Sequence, residues 1–243
     1  MPSLPGYIIG GGGGSVTAAA VGAVLADATA EAGVAEDVRA VLAGREALPD
    51  TGWTDGITGT ASVTHVGAVH TLNINASGAV LSHRATTTAP ECPAIEIMGR
   101  FDVTTGAPAT GWWSGFALLN AASTYSCLAQ VVESGAVQLW HAHGSGYGLV
   151  GSSPGGSVSL TSGDVWLRLI VTPSYIAASY GTGSGSTPPT SWTTVAYGNT
   201  VAGTLAAGHL NRIAVHAARN GSGSGTYTVE WRNVTVKSLS IAA

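Results

Sequence analysis

The sequence has almost no lysine. Lys237 is the only one, and Lys and Arg together number 9 against 13 Asp and Glu. Charged residues make up 9% of the chain, the net charge is −4, and Lys and Arg nowhere cluster. Nucleic acid and anionic membranes are recognised through a basic patch, so both are excluded as partners. Cysteine is nearly as scarce: Cys92 and Cys127 could form one bridge or stay as buried thiols, and a core of this size does not require the bridge. No basic segment precedes the apolar stretch 16–26, which ends at Asp27 and Glu31. That stretch reads neither as a secretory signal nor as a membrane span, which needs about 20 apolar residues. The expectation is a soluble protein whose export would occur by release within a particle.

Small and apolar residues are what the chain has in quantity, with 35 Gly and 45% hydrophobic content. A core can form, while Ser, Thr, Asn and Gly must provide the solvated surface, as in loop-rich β proteins that work outside a cell or in a particle. Composition divides the chain into three zones. Residues 1–14 carry Pro2, Pro5 and the run Gly10–Gly14, which opposes regular structure and predicts a flexible docking strap with Leu4, Tyr7, Ile8 and Ile9 as anchors. Residues 15–48 show helical spacing. Ser15 can cap a first helix, and a second follows Gly33 with Val34, Val38, Val41 and Leu42 on one stripe and Gly44 as its stop. Each stripe is too narrow for independent stability, so Val38, Val41 and Leu42 are expected to anchor the segment or to bundle it in a homo-oligomer, with a trimer favoured.

From Pro49 the helical period gives way to short alternating runs separated by Gly, Ser, Thr and Pro, and residues 49–243 are predicted to form a β-sandwich domain. Strands are expected at 61–66, 70–75, 95–103, 114–120, 126–132, 136–142, 165–172, 175–180, 192–197, 212–218 and 226–237. The turn Glu133-Ser134-Gly135 joins one hairpin and Pro173-Ser174 another. Hairpins in series without helical crossovers imply antiparallel sheets, and this many strands imply two of them face to face. The predicted fold class is mainly β: an antiparallel two-sheet sandwich preceded by a short helical segment.

The run Ile95-Glu96-Ile97-Met98-Gly99-Arg100-Phe101, then Gly115-Phe116-Ala117-Leu118-Leu119, then Val137-Gln138-Leu139-Trp140 resembles the concanavalin-A-like lectin/glucanase superfamily. Val165-Trp166-Leu167-Arg168-Leu169 and Ser191-Trp192-Thr193-Thr194-Val195 are similar to laminin-G-like and glycosidase-appended modules, whose closing strand the run Tyr227–Val236 also resembles. The resemblance implies a jelly-roll over about residues 53–239. The sequence departs from it in the long loop 181–189 and in lacking a cluster of acidic calcium ligands. The glycine-rich strap and Ala/Val segment ahead of a β tip resemble the attachment end of bacteriophage fibre or minor virion proteins.

Chemistry is sparse. Glycoside hydrolysis needs two carboxylates facing each other, whereas Glu96 is followed on its own face by Met98 and Arg100, so it reads as a strand residue paired with an arginine and no catalytic residue is assigned. No Gly-x-Ser-x-Gly elbow lies between a strand and a helix. His141 and His143 alternate and could share a face, but two ligands do not make a metal site. His65, His70, His83, His209 and His216 have no ligand spacing, so neither metal nor cofactor is expected. Exposed aromatic rings suit a glycan, because sugar C–H faces stack on them while hydroxyls bond to polar neighbours. Trp112 and Trp113 in a Gly/Thr-rich connection, with Trp140, His141, His143 and Tyr147 around another, are therefore the expected ligand contacts; Trp166, Trp192 and Trp231 are expected in the core.

Together these readings predict a non-enzymatic virion structural protein, a head or tail fibre, minor tail or decoration subunit on the particle surface. Its N-terminal segment would bind other virion proteins and its sandwich a host-surface glycan. A secreted bacterial carbohydrate-binding accessory domain and a purely architectural capsid cement protein are the alternatives.

Overall fold

A computed structural model describes residues 40–42, 46–48, 53–57, 61–66, 69–77, 81–88, 94–106, 111–120, 126–143, 146–153, 158–172, 175–199, 210–219 and 224–241. The strands are β1 (Ala40–Leu42), β2 (Glu46–Ala47), β3 (Thr54–Ile57), β4 (Ala61–Val66), β5 (Val69–Ser77), β6 (Leu81–Thr88), β7 (Ala94–Thr105) and β8 (Trp112–Leu119). They continue with β9 (Ser126–Val132), β10 (Val137–His143), β11 (Gly146–Ser152), β12 (Val165–Val171), β13 (Tyr175–Thr182), β14 (Thr193–Asn199), β15 (Arg212–Arg219) and β16 (Ser224–Ile241). One sheet has nine strands, in the order β14-β13-β12-β7-β16-β5-β4 with β1 and β2 also on β16; the other has seven, β11-β10-β9-β8-β15-β6-β3. Every pairing is antiparallel. No helix occurs among the described residues.

Period-two alternation decides what lies between the sheets. In β8, Trp112, Phe116 and Leu118 face inward; β12 sends in Val165, Leu167, Leu169 and Val171. Trp231 of β16 joins the layers: its ring lies 4.3 Å from that of Phe116, and its Nε1 donates to Ser114 Oγ at 2.9 Å. Ser114 Oγ in turn donates to the His216 carbonyl at 2.8 Å, so this buried polar chain is satisfied. Tyr227 closes another part of the core edge-on to Trp112 and donates its hydroxyl to the Ala218 carbonyl. Cys127 is a free buried thiol, pushed by burial up to about 12; Cys92 lies outside the described residues.

The second helix of the expected anchor is not formed at its C-terminal end. Residues 40–42 and 46–47 are strands on β16, and Leu48 is buried with its N–H on the Val234 carbonyl at 3.1 Å. The cause is an open edge. β5 pairs with β16 only up to Arg232, and the backbone groups beyond it need partners, which β2 and β1 supply. Val41 and Leu42 therefore pair with Ser240 and Leu239 rather than lining a helical stripe. Leu4, Tyr7, Ile8, Ile9 and Val38, with the rest of the strap and first helix, lie outside the described residues.

Where β5 departs, Asn233 adopts φ 53°, and the register against β7 shifts between Arg232 and Thr235. This is a bulge with an asparagine in the left-handed conformation that Asn tolerates better than most residues. Tyr227, Val229 and Trp231 face inward before it, Val234 and Val236 after it.

Candidate functional site

The outer faces of the two sheets differ in chemistry. On the seven-stranded sheet the register lines up three rows across β10, β9, β8 and β15. Trp140, Leu128, Ala117 and Ala214 form one row; Gln138, Gln130, Gly115 and His216 the next; Val132, Trp113 and Ala218 the third. The first row is a small apolar cluster outside the main core, with partly buried Trp140 packed on it. The second is a polar stripe. Gln138 Oε1 accepts from Trp140 Nε1 at 2.9 Å and from Gln130 Nε2 at 3.2 Å. The remaining acceptor, Gln130 Oε1, is buried without a hydrogen-bond partner in a residue only 4% exposed. Gly115 keeps the floor flat, because a Cβ there would come within 2.0 Å of the Ala129 carbonyl oxygen.

This arrangement sorts the expected contacts. Trp112 is corrected: it is 0% exposed and inside the core, because it shares the inward parity of Ser114 and Phe116 while its neighbour Trp113 faces out. His141 is paired with core-facing Cys127, and so belongs to the inter-sheet side of β10, opposite to Trp140. His143 and Tyr147 lie in β10 and β11, paired with Gly146 and Ala142 respectively. Trp113 and Trp140 share a face but not one spot. Their partners on β9, Val132 and Leu128, are four residues apart, which with two strand spacings separates the two Cα atoms by about 17 Å. The polar stripe runs between them. Gln130 and Gln138 were not singled out in the sequence, although the Gly135 turn of their hairpin fixes them as cross-strand partners.

The outer face of the nine-stranded sheet carries the charge. Glu230 stands opposite Asp102 in the register of β16 with β7, and Arg232 opposite Arg100. Arg232 grips Glu230 through Nε at 2.9 Å and also through Nη2; Arg100 donates to the Gly163 carbonyl at 2.9 Å. Desolvation raises the Asp102 carboxyl above its usual range, with Glu230 and Asp164 adding to the rise and Arg232 and Arg100 opposing it. The two acids thus neighbour each other, but one is already neutralised by its arginine. Lys237 is opposite Glu96 in the register. Over β12 and β13 the face is roofed by the loop 183–192. Gly183 takes the Trp166 indole N–H at 3.1 Å, and the Arg168 guanidinium lies 4.5 Å from the centre of the Trp192 ring. A ligand would have to displace that loop to reach this part of the sheet. Among the described residues, no three His, Cys, Asp or Glu side chains come together as a metal site.

No family model matches the chain, and no curated protein matches it. Solved structures do. The CBM2 module of the evolved Dit of Lactobacillus casei BL23 phage J-1 aligns with TM-score 0.55 and 9% identity, over 85% of this chain and 99% of that one. Carbohydrate-binding module CBM66 from Bacillus subtilis aligns with TM-score 0.50 and 9% identity, over 77% and 96%. The VIP36 exoplasmic/lumenal domain in its Ca2+/Man3GlcNAc-bound form aligns with TM-score 0.53 and 9% identity, over 83% and 92%. At these identities the likeness is one of fold, and the fold is a lectin-like jelly-roll sandwich of two antiparallel sheets.

Proposed function

We propose that the chain is a non-enzymatic structural protein of a phage-like particle that displays a lectin-like domain, and that this domain binds a neutral host-surface glycan on the outer face of its seven-stranded sheet. The carrying observation is the buried acceptor Gln130 Oε1 beside half-buried Trp140. An orphaned acceptor costs free energy until a donor reaches it. A sugar hydroxyl supplies that donor when the Gln130 amide turns out of its buried position, while the C–H face of the same ring covers the indole. Across β10, β9, β8 and β15 the three rows carry no carboxylate, ammonium or guanidinium group, which favours an uncharged ligand there; the register sets Arg84 of β6 opposite His216 at the far end of the polar stripe.

The virion assignment is supported by the low charge and by the likeness to a module of a phage Dit. Attachment through the N-terminal segment and homo-oligomerisation belong to the same reading. Light scattering should compare the whole chain with one cut before Ala40, which keeps β1 and β2 in the sheet; an unchanged mass would reject residues 1–39 as the assembly element. A secreted carbohydrate-binding accessory domain is the second reading, favoured by the near-complete overlap with the CBM66 module.

A glycan array probed with the full chain tests the central claim. Wild type and Trp112→Phe should give the same binding pattern, while Gln130→Ala and Trp140→Ala should lose it with melting temperatures held. A silent wild-type array would leave the cement role standing instead.

A further inference from the structure

Away from the glutamine stripe, three rings meet at the opposite margin of the sandwich. Trp53 directly precedes β3, the edge strand of the seven-stranded sheet, while His65 lies on β4, the edge strand of the nine-stranded sheet, directly opposite His70 on β5. The Trp53 ring stacks on His65 at 4.9 Å and 12°, and meets His70 edge-on at 4.7 Å. The two imidazoles touch Nδ1 to Nδ1 at 2.7 Å. His70 is 1% exposed.

A contact that short between two ring nitrogens holds one proton. One imidazole donates Nδ1–H and the other accepts with its Nδ1 lone pair, so the two neutral rings are opposite tautomers. A first added proton, on Nε2 of the donor ring, keeps the hydrogen bond and makes it charge-assisted. A second must go to the accepting Nδ1. That sets N–H against N–H and places two cations with ring centres 4.9 Å apart.

We propose that this histidine pair is an acid-operated latch: it closes the edge between the sheets when at most one ring is charged, and the second protonation frees Trp53 and β4. Burial first, and the charge of His65 second, together lower His70 from 6.5 to about 4. Because the folded value is below the unfolded one, the unfolded chain takes up this proton first as pH falls. The stability due to the pair is whole above about 6.5 and is lost as pH drops towards about 4. Trp231 of β16 is opposite His70, with Glu230 and Arg232 on the other face of that strand and bound to each other. β3 and β6 carry Asp55, His83 and Arg84 at their register positions. Among the described residues, His65 is the one group whose charge acts on His70.

The test uses the full chain. At pH 7, nitrogen NMR should find His65 and His70 in opposite tautomers. Between pH 5 and 3.5, Trp53 fluorescence should change in a step that Trp53→Phe removes. Over the same range cleavage within 53–66 should speed up roughly tenfold, following the opened population, while the far-ultraviolet dichroism of the sandwich holds. His65→Gln should keep the edge closed, because its amide oxygen accepts from a protonated His70. Identical tautomers, titration of His70 at its ordinary value of 6.5, opening in His65→Gln as in wild type, or global unfolding at the same pH would each overturn the latch.

Discussion

On the outer face of the nine-stranded sheet a carboxylate meets a guanidinium two residues along its own strand; on the outer face of the seven-stranded sheet an amide meets a second amide and an indole. Glu230 and Arg232 complete each other, and the loop 183–192 covers further groups through Trp166 and Arg168. The glutamine row does not complete itself, since Gln138 serves two donors and Gln130 is left with a buried open acceptor. Both faces keep buried polar atoms one partner short, Asp102 Oδ1 and Arg100 Nε on one and Gln130 Oε1 on the other; what distinguishes the glutamine row is that its groups are neutral and lie beside a partly exposed indole, the pairing that suits an uncharged sugar.

The strongest way to sharpen this contrast is to separate the core from the face within one dipeptide. Trp112→Ala should cost about 3–5 kcal/mol in urea denaturation, whereas Trp113→Ala, on the other side of the same strand, should stay within about 0.5 kcal/mol of wild type. Trp112→Phe should be mild, because it deletes an indole N–H that has no partner in the core. Next comes Gly115→Ala. Its Cβ meets the Ala129 carbonyl, so β8 and β9 must part, at a cost of about 1–3 kcal/mol by thermal melting, and the stripe should bind glycan less well. Third, titration calorimetry should show Trp140→Ala weakening the glycan about tenfold, with Arg232→Ala leaving affinity unchanged. Equal losses from both faces would break the comparison outright. The smallest effect is at Asp102. Its carboxyl is raised in the folded protein, so the folded state holds the proton more tightly, and the stability this contributes is present at low pH and lost as pH rises. Asp102→Asn should therefore be slightly more stable than wild type at pH 7, with the gain vanishing below the carboxylate range.

Much of the sandwich could be read in advance because its central strands alternate apolar and polar residues. β4 and β9 agree with their expected bounds to the residue, and β12 to within one. The strands not foreseen are those whose partners, not their own pattern, define them. β6, Leu-Ser-His-Arg-Ala-Thr-Thr-Thr, has no apolar period, yet it fits between β15 and β3. β11 has glycine at three of its seven positions and sits at an edge. Starting β8 at Ser114 hid the parity that separates Trp112 from Trp113. Trp140 and Trp113 stand out in the sequence as aromatic residues and lie on the outer face, whereas Gln130 and Gln138 carry no such signal, although the Gly135 turn fixes those glutamines as partners. His65 and His70 have no ligand spacing along the sequence, yet a hairpin brings them directly opposite each other.

The left-handed Asn233 has a consequence for how β16 can change over generations. Ordinarily a strand that gains or loses one residue turns every later side chain inside out. Here one such slip is built in, so the two halves of β16 obey opposite parities, and Leu48 docks on the second half. Drawing β16 straight through Asn233 with every residue kept would send Thr235 and Lys237 toward the core and turn Val234 and Val236 to solvent. Sequence drift at this position is thereby confined to residues that accept the same backbone, chiefly glycine and aspartate, while the rest of the bulge can vary in chemistry without altering which way the strand points.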